Sequence, residues 1–128
     1  MAMTPMSSVE PFLDSTSLLS DPTALRRRAD ELGYLFFPGL LATGPLLDVR
    51  QQILQICQSH SWIQEGTDLS AGIAIKEDVV IESTGDPRWQ AFYNDVQKLR
   101  DFHALCLSEP ILGALEVLFG ESVLPHPR

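Results

Sequence analysis

Cysteine is scarce in this sequence: Cys57 and Cys106 are the two examples in 128 residues. Two thiols cannot build the disulfide framework on which small secreted domains rely, and they form no Cys-x-x-Cys pair. Both fall at apolar-facing positions of expected helices, so we read them as reduced core thiols of a cytoplasmic protein. Positive charge is also in short supply, with nine Lys and Arg against seventeen Asp and Glu and a formal net charge of -8. That deficit argues against a nucleic acid partner, whose phosphates call for a basic footprint, and against an anionic membrane surface. No continuous apolar run approaches the roughly 18 residues of a transmembrane helix. Residues 1–20 lack the basic start and apolar block of a signal peptide and read as a flexible lead-in. Missing too are a phosphate loop, a Gly-x-Ser-x-Gly elbow, internal repeats and low-complexity tracts.

What is present is the composition of a folded chain, 45% apolar and 20% charged, and residues 21–128 are long enough for a single domain. A first helix is well marked: Asp21 caps it, Pro22 takes the favoured first position and Gly33 closes it. Arg26, Arg27 and Arg28 read as its solvated face, pairing with Asp30 and Glu31. Tyr34 to Phe37, bounded by Gly33 and Pro38, reads as a short buried strand. A second helix runs from near Pro45 to about Ser59, with Leu46, Val49, Ile53, Ile56 and Cys57 on one stripe. Between 64 and 86, Gly72–Ile75 and Val79–Ile81 are candidate strands. A third helix, capped by Asp86, is expected to reach Cys106 or Leu107, with Trp89, Phe92, Val96, Leu99, His103 and Cys106 on one face. A fourth opens at Ser108 and Pro110 and ends at Gly120, and Ser122 to Leu124 reads as a last strand. The fold class expected is therefore α+β, helix-rich with a few short strands. By itself such a chain cannot close a jelly roll, which takes about eight strands.

Three stretches carry a family resemblance. Gly33-Tyr34-Leu35-Phe36-Phe37-Pro38-Gly39-Leu40-Leu41, then Asp95 through His103, then Leu118-Phe119-Gly120-Glu121-Ser122-Val123-Leu124 together resemble the amino-terminal part of phytanoyl-CoA dioxygenase-like proteins. The resemblance covers roughly residues 22–128. It implies an incomplete part of a double-stranded β-helix (jelly-roll) domain, with a helical layer that buttresses the barrel. It also implies Fe(II) and 2-oxoglutarate as cofactors of the complete domain and oxidation of a small organic substrate.

The iron chemistry of that family needs two histidines and a carboxylate on one face of the metal. Its usual form is His-x-Asp or His-x-Glu with a later His. Here His60 precedes Ser61-Trp62, His103 precedes Ala104-Leu105 and His126 precedes Pro127-Arg128, so no such motif occurs. No catalytic or metal-ligating residue is assigned, and no bound cofactor is expected on this chain alone. His60 falls at a helix end, where a cation complements the dipole. Lys98 is the single candidate binding residue. From spacing alone it pairs with Asp95 and Asp101 as a solvated ion pair. The resemblance implies more, because Lys98-Leu99-Arg100-Asp101-Phe102 matches a pattern whose Lys contributes to binding 2-oxoglutarate or substrate. Two readings follow: the amino-terminal segment of such an oxygenase, inactive alone, or a non-catalytic module or split half that docks on a partner chain or on itself.

Overall fold

A computed structural model describes residues 10–77 and 81–126. Among the described residues five α-helices carry the fold: α1 (Pro22–Leu32), α2 (Thr43–Ser59), α3 (Pro87–Val96), α4 (Arg100–Cys106) and α5 (Glu109–Phe119), with 3-10 turns at Thr16–Ser20 and Leu69–Ala71. The chain divides into two compact units. One combines Met1–Leu40 with Leu112–Arg128, and the other is the intervening Leu41–Ile111.

The expected α+β class is not what forms. No strand is found among the described residues, and β pairing is limited to two isolated bridges, Asp14 with Phe36 and Ile63 with Ala74. A strand needs a ladder of partners, and neither bridge is extended into one. Tyr34–Phe37 contributes a single pairing, in which Ser15 N–H donates to the Phe36 carbonyl at 2.7 Å. Gly72–Ile75 contributes the other, around Gln64 N–H to Ile73 O at 2.8 Å. Ser122–Leu124 is irregular, with Leu124 91% exposed. The reading of a strand at 79–81 falls mostly outside the described residues. The chain is therefore helical, and a jelly-roll fragment is not its architecture.

In the unit of residues 10–40 and 112–126, the signals at the ends of α1 work as their chemistry dictates. The Asp21 carboxylate accepts from Ala24 N–H at 3.0 Å, Pro22 opens the helix, and Gly33 takes the left-handed conformation at φ 72°. That satisfies orphaned backbone groups at both ends. Leu25 is fully buried, whereas Leu32 is exposed. The arginines behave differently from a solvated face. Arg27 alone approaches Glu31, at 3.9 Å. Arg28 donates to the Asp14 carbonyl at 2.8 Å, and Arg26 donates to the Val117 and Leu118 carbonyls at 3.4 and 3.2 Å. Arg26 thus satisfies the last carbonyls of α5, where a cation also complements the helix dipole. Ser15, within the stretch read as a lead-in, is fully buried beside this staple.

In the unit of residues 41–111, α2 is the shared support: the 69–71 turn, α3 and α4 all pack on it. Val49 is its buried apolar side chain. Gly72, at φ 62°, lets the backbone pass close to α2, since a Cβ there would meet Leu54 at 3.3 Å. The single third helix expected over 87–107 is two helices. Lys98 N–H bonds to Asp95 O and Leu99 N–H to Val96 O, three-residue turns that tighten and end α3 before Leu99 adopts ψ 108°. Cys57 is partly buried and burial pushes its thiol up, while Cys106 is exposed, so the core reading suits the first thiol only.

Arg100–Phe119 has a mean hydropathy of 1.5, and by length and composition alone this stretch passes the test for a membrane span. A search for continuous apolar runs overlooks it. The stretch is interrupted at Leu107 and Ser108, and α4 and α5 are 7 and 11 residues long. A span needs about 20 helical residues.

The small cores make a sharp expectation. Leu25→Ala should destabilise its unit by about 2–4 kcal/mol, the loss of a buried leucine plus its cavity. Leu124→Ala should stay within about 0.5 kcal/mol. Urea denaturation followed by circular dichroism measures both.

Candidate functional site

Lys98 sits in the connection between α3 and α4, the one interruption of an otherwise helical stretch from Pro87 to Cys106. Its side chain is 75% exposed and its ammonium lies 3.1 Å from Asp95 Oδ1. Asp101, the other expected partner, turns elsewhere and accepts from Gln52 Nε2 at 2.8 Å. Lys98 is thus held by one carboxylate, and that carboxylate has a second contact. His60 Nε2 lies 3.1 Å from Asp95 Oδ2. An ionised carboxylate can only accept, so the imidazole carries its proton on Nε2.

The sequence placed His60 at a helix end but gave no sign that Asp95 would meet it from 35 residues away. The signal that locates the contact is aromatic. His60 follows α2, Trp62 follows it by two residues, and Trp89 and Phe92 lie on the inner face of α3. Their rings stack in sequence, with centroids of His60 and Trp62 at 5.5 Å, Trp62 and Phe92 at 5.0 Å, and Trp89 and Phe92 at 5.7 Å. Aromatic pairs at these separations prefer tilted or edge-on contacts, as here. The cluster docks α3 on the end of α2 and so holds Asp95 against His60. Ser61, at φ 60°, turns the chain between them in a conformation that costs a non-glycine residue energy.

Asp95 is electrostatically the most supported group here. The Lys98 ammonium, then the His60 imidazole, hold its carboxyl below the ordinary 3.8. Both contacts stabilise the charged form. His103, expected on an apolar stripe, instead lies exposed and donates from Nε2 to the Gln97 carbonyl at 2.8 Å, closing the end of α3. His126 is exposed.

These residues do not fit an iron centre. No three His, Cys, Asp or Glu side chains converge among the described residues. What the arrangement can do is present one ammonium to an anion. A surface ion pair is worth roughly 0–1 kcal/mol, so an incoming carboxylate can replace Asp95 as its partner at small cost. Comparison with protein-family models, curated proteins and solved structures gives no match.

The depressed Asp95 carboxyl has a measurable consequence. Folding that lowers a carboxyl's titration adds stability above its unfolded value, and the gain disappears as pH falls through the folded one. Carbon-detected NMR of Asp95 should therefore give a midpoint below 3.8. Lys98→Ala should move that midpoint upward more than His60→Gln does, following the order of their contributions.

Proposed function

We propose that this chain is a helical segment of a phytanoyl-CoA dioxygenase-like oxygenase, working against a catalytic surface that carries the iron ligands. In this reading it contributes packing and one anchoring cation rather than the metal itself. The observation that carries it is the position of Lys98. The residue singled out by the Lys-Leu-Arg-Asp-Phe pattern stands exposed at a helix break, tethered by a single weak pair. A compact ammonium there suits a carboxylate such as that of 2-oxoglutarate or an acidic substrate. When bound, 2-oxoglutarate would supply two electrons to dioxygen through its own oxidative decarboxylation, and this chain would hold one end of it through Lys98.

The test restores a catalytic portion bearing the His-x-Asp and later His, and follows succinate release. Lys98→Ala should raise the apparent KM for 2-oxoglutarate several-fold with little change in kcat, the pattern of lost uniform binding. Lys98→Arg should recover part of the loss. Unchanged kinetics for both would return Lys98 to an ordinary surface pair.

A second reading, a docking module without catalysis, is favoured by how little each unit buries. Leu25 and Val49 are the buried apolar side chains among the described residues, while Phe12, Leu13, Leu47, Phe119 and Leu124 are more than half exposed. Exposed apolar surface of this kind marks interaction sites. A groove of about 340 Å³ lined by Tyr34, Phe37, Leu115 and Leu118 adds to it. The partner in this reading is a complementary catalytic chain. Without it, sedimentation of the purified chain should show a dimer or larger species. A cleanly monomeric, cooperatively unfolding chain would instead point to a self-sufficient module.

A further inference from the structure

We propose that a cavity between the start of α2 and the corner joining α4 to α5 binds a small organic cation, a primary ammonium on a short apolar body. The cavity measures about 440 Å³, within the range of small-molecule sites. Its walls are mainly apolar, with Leu41, Val49 and Leu105 among them, and its polar groups are Asp48, Asp101 and Ser108. No basic side chain lines it. The site is separate from Lys98, which does not belong to its lining, and it does not depend on the oxygenase reading.

The two carboxylates are available in different ways. Ser108 Oγ has no hydrogen-bond partner but is closed to solvent, so the two carboxylates are the groups that meet a ligand. Asp101 has one oxygen fixed by Gln52 Nε2 at 2.8 Å, which orients the carboxylate and leaves Oδ1 free. Asp48 lies one turn before Gln52 on α2, on the same helix face. Its carboxylate has no hydrogen-bond or ion-pair partner among the described residues.

Two carboxylates offer four acceptor oxygens, one of them engaged by Gln52, and a primary ammonium carries three N–H donors. Charge-assisted bonds to carboxylates are the strong ones. The N-terminus of α2 opposes a cation, but with roughly half a positive charge against two full negative charges. The net charge of -8 adds a long-range attraction of the same sign. The apolar walls then account for the rest of the ligand, which must be a hydrocarbon chain rather than a second charge.

The probe is n-hexylammonium, titrated into the full chain and followed by amide NMR, with n-hexanol, hexanoate and hexyltrimethylammonium as comparisons. Hexylammonium should shift the amides of Val49, Ala104 and Leu105 saturably and bind at least tenfold tighter than hexanol. Hexanoate should not bind. Hexyltrimethylammonium, which has the charge but no N–H, should bind more weakly than the primary amine. Asp48→Asn and Asp101→Asn should each weaken binding about tenfold, the effect of one hydrogen bond to a charged group. Ala104→Leu should fill the cavity and abolish binding, with an unchanged circular dichroism spectrum. Equal affinity for hexanol, shifts spread over the surface, or full affinity in Asp48→Asn would overturn the proposal.

Discussion

The end of α2 meeting the inner face of α3 is the contact on which the chemistry of this chain depends. Trp62 and Phe92, with ring centroids 5.0 Å apart, set the separation of the two helices. At that separation His60 reaches Asp95, and Asp95 in turn restrains Lys98. Aromatic packing spreads over large contact areas and is strong, whereas the exposed ion pair is weak. The first holds the helices and the second orients the ammonium.

Helix ends govern the other unit in a comparable way. A run of three arginines is ordinarily a solvated surface, yet Arg26 and Arg28 reach backbone carbonyls distant in sequence. They compensate for a small core. With Leu25 as the buried apolar side chain there, hydrogen bonds to otherwise orphaned carbonyls carry an unusual share of the local order.

Much of the helical frame was legible from residues alone, because its signals are local. Asp21, Pro22 and Gly33 bound α1, and Asp86 with Pro87 opens α3, by chemistry confined to a few neighbours. The errors lie where a distant partner decides. Tyr34–Phe37 has the composition of a strand, but strand formation requires a second strand, and among the described residues only Asp14 pairs with it. The break before Leu99 leaves no mark in the sequence pattern, because the apolar spacing continues through it while three-residue turns end the helix underneath. Of the site, Lys98 and its pairing with Asp95 were legible. The second contact of Asp95, with His60, was not, because nothing in either segment announces the other. The orphaned Ser108 hydroxyl was likewise invisible, since burial of a single oxygen leaves no mark in the sequence pattern.

The discontinuous unit has a consequence for synthesis. Residues up to Leu40 belong with residues from Leu112 onward, and Leu41–Ile111 lies between them. On the ribosome the intervening unit has all its segments first. The amino-terminal helix must wait, with Arg26 lacking the α5 carbonyls it caps, until roughly the last turns of α5 have emerged. At typical elongation rates of about 5–20 residues per second this interval lasts seconds, long compared with helix formation. During that time the waiting segment presents Phe12, Leu25 and Phe36 to chaperones, or to any partner able to reach the nascent chain first.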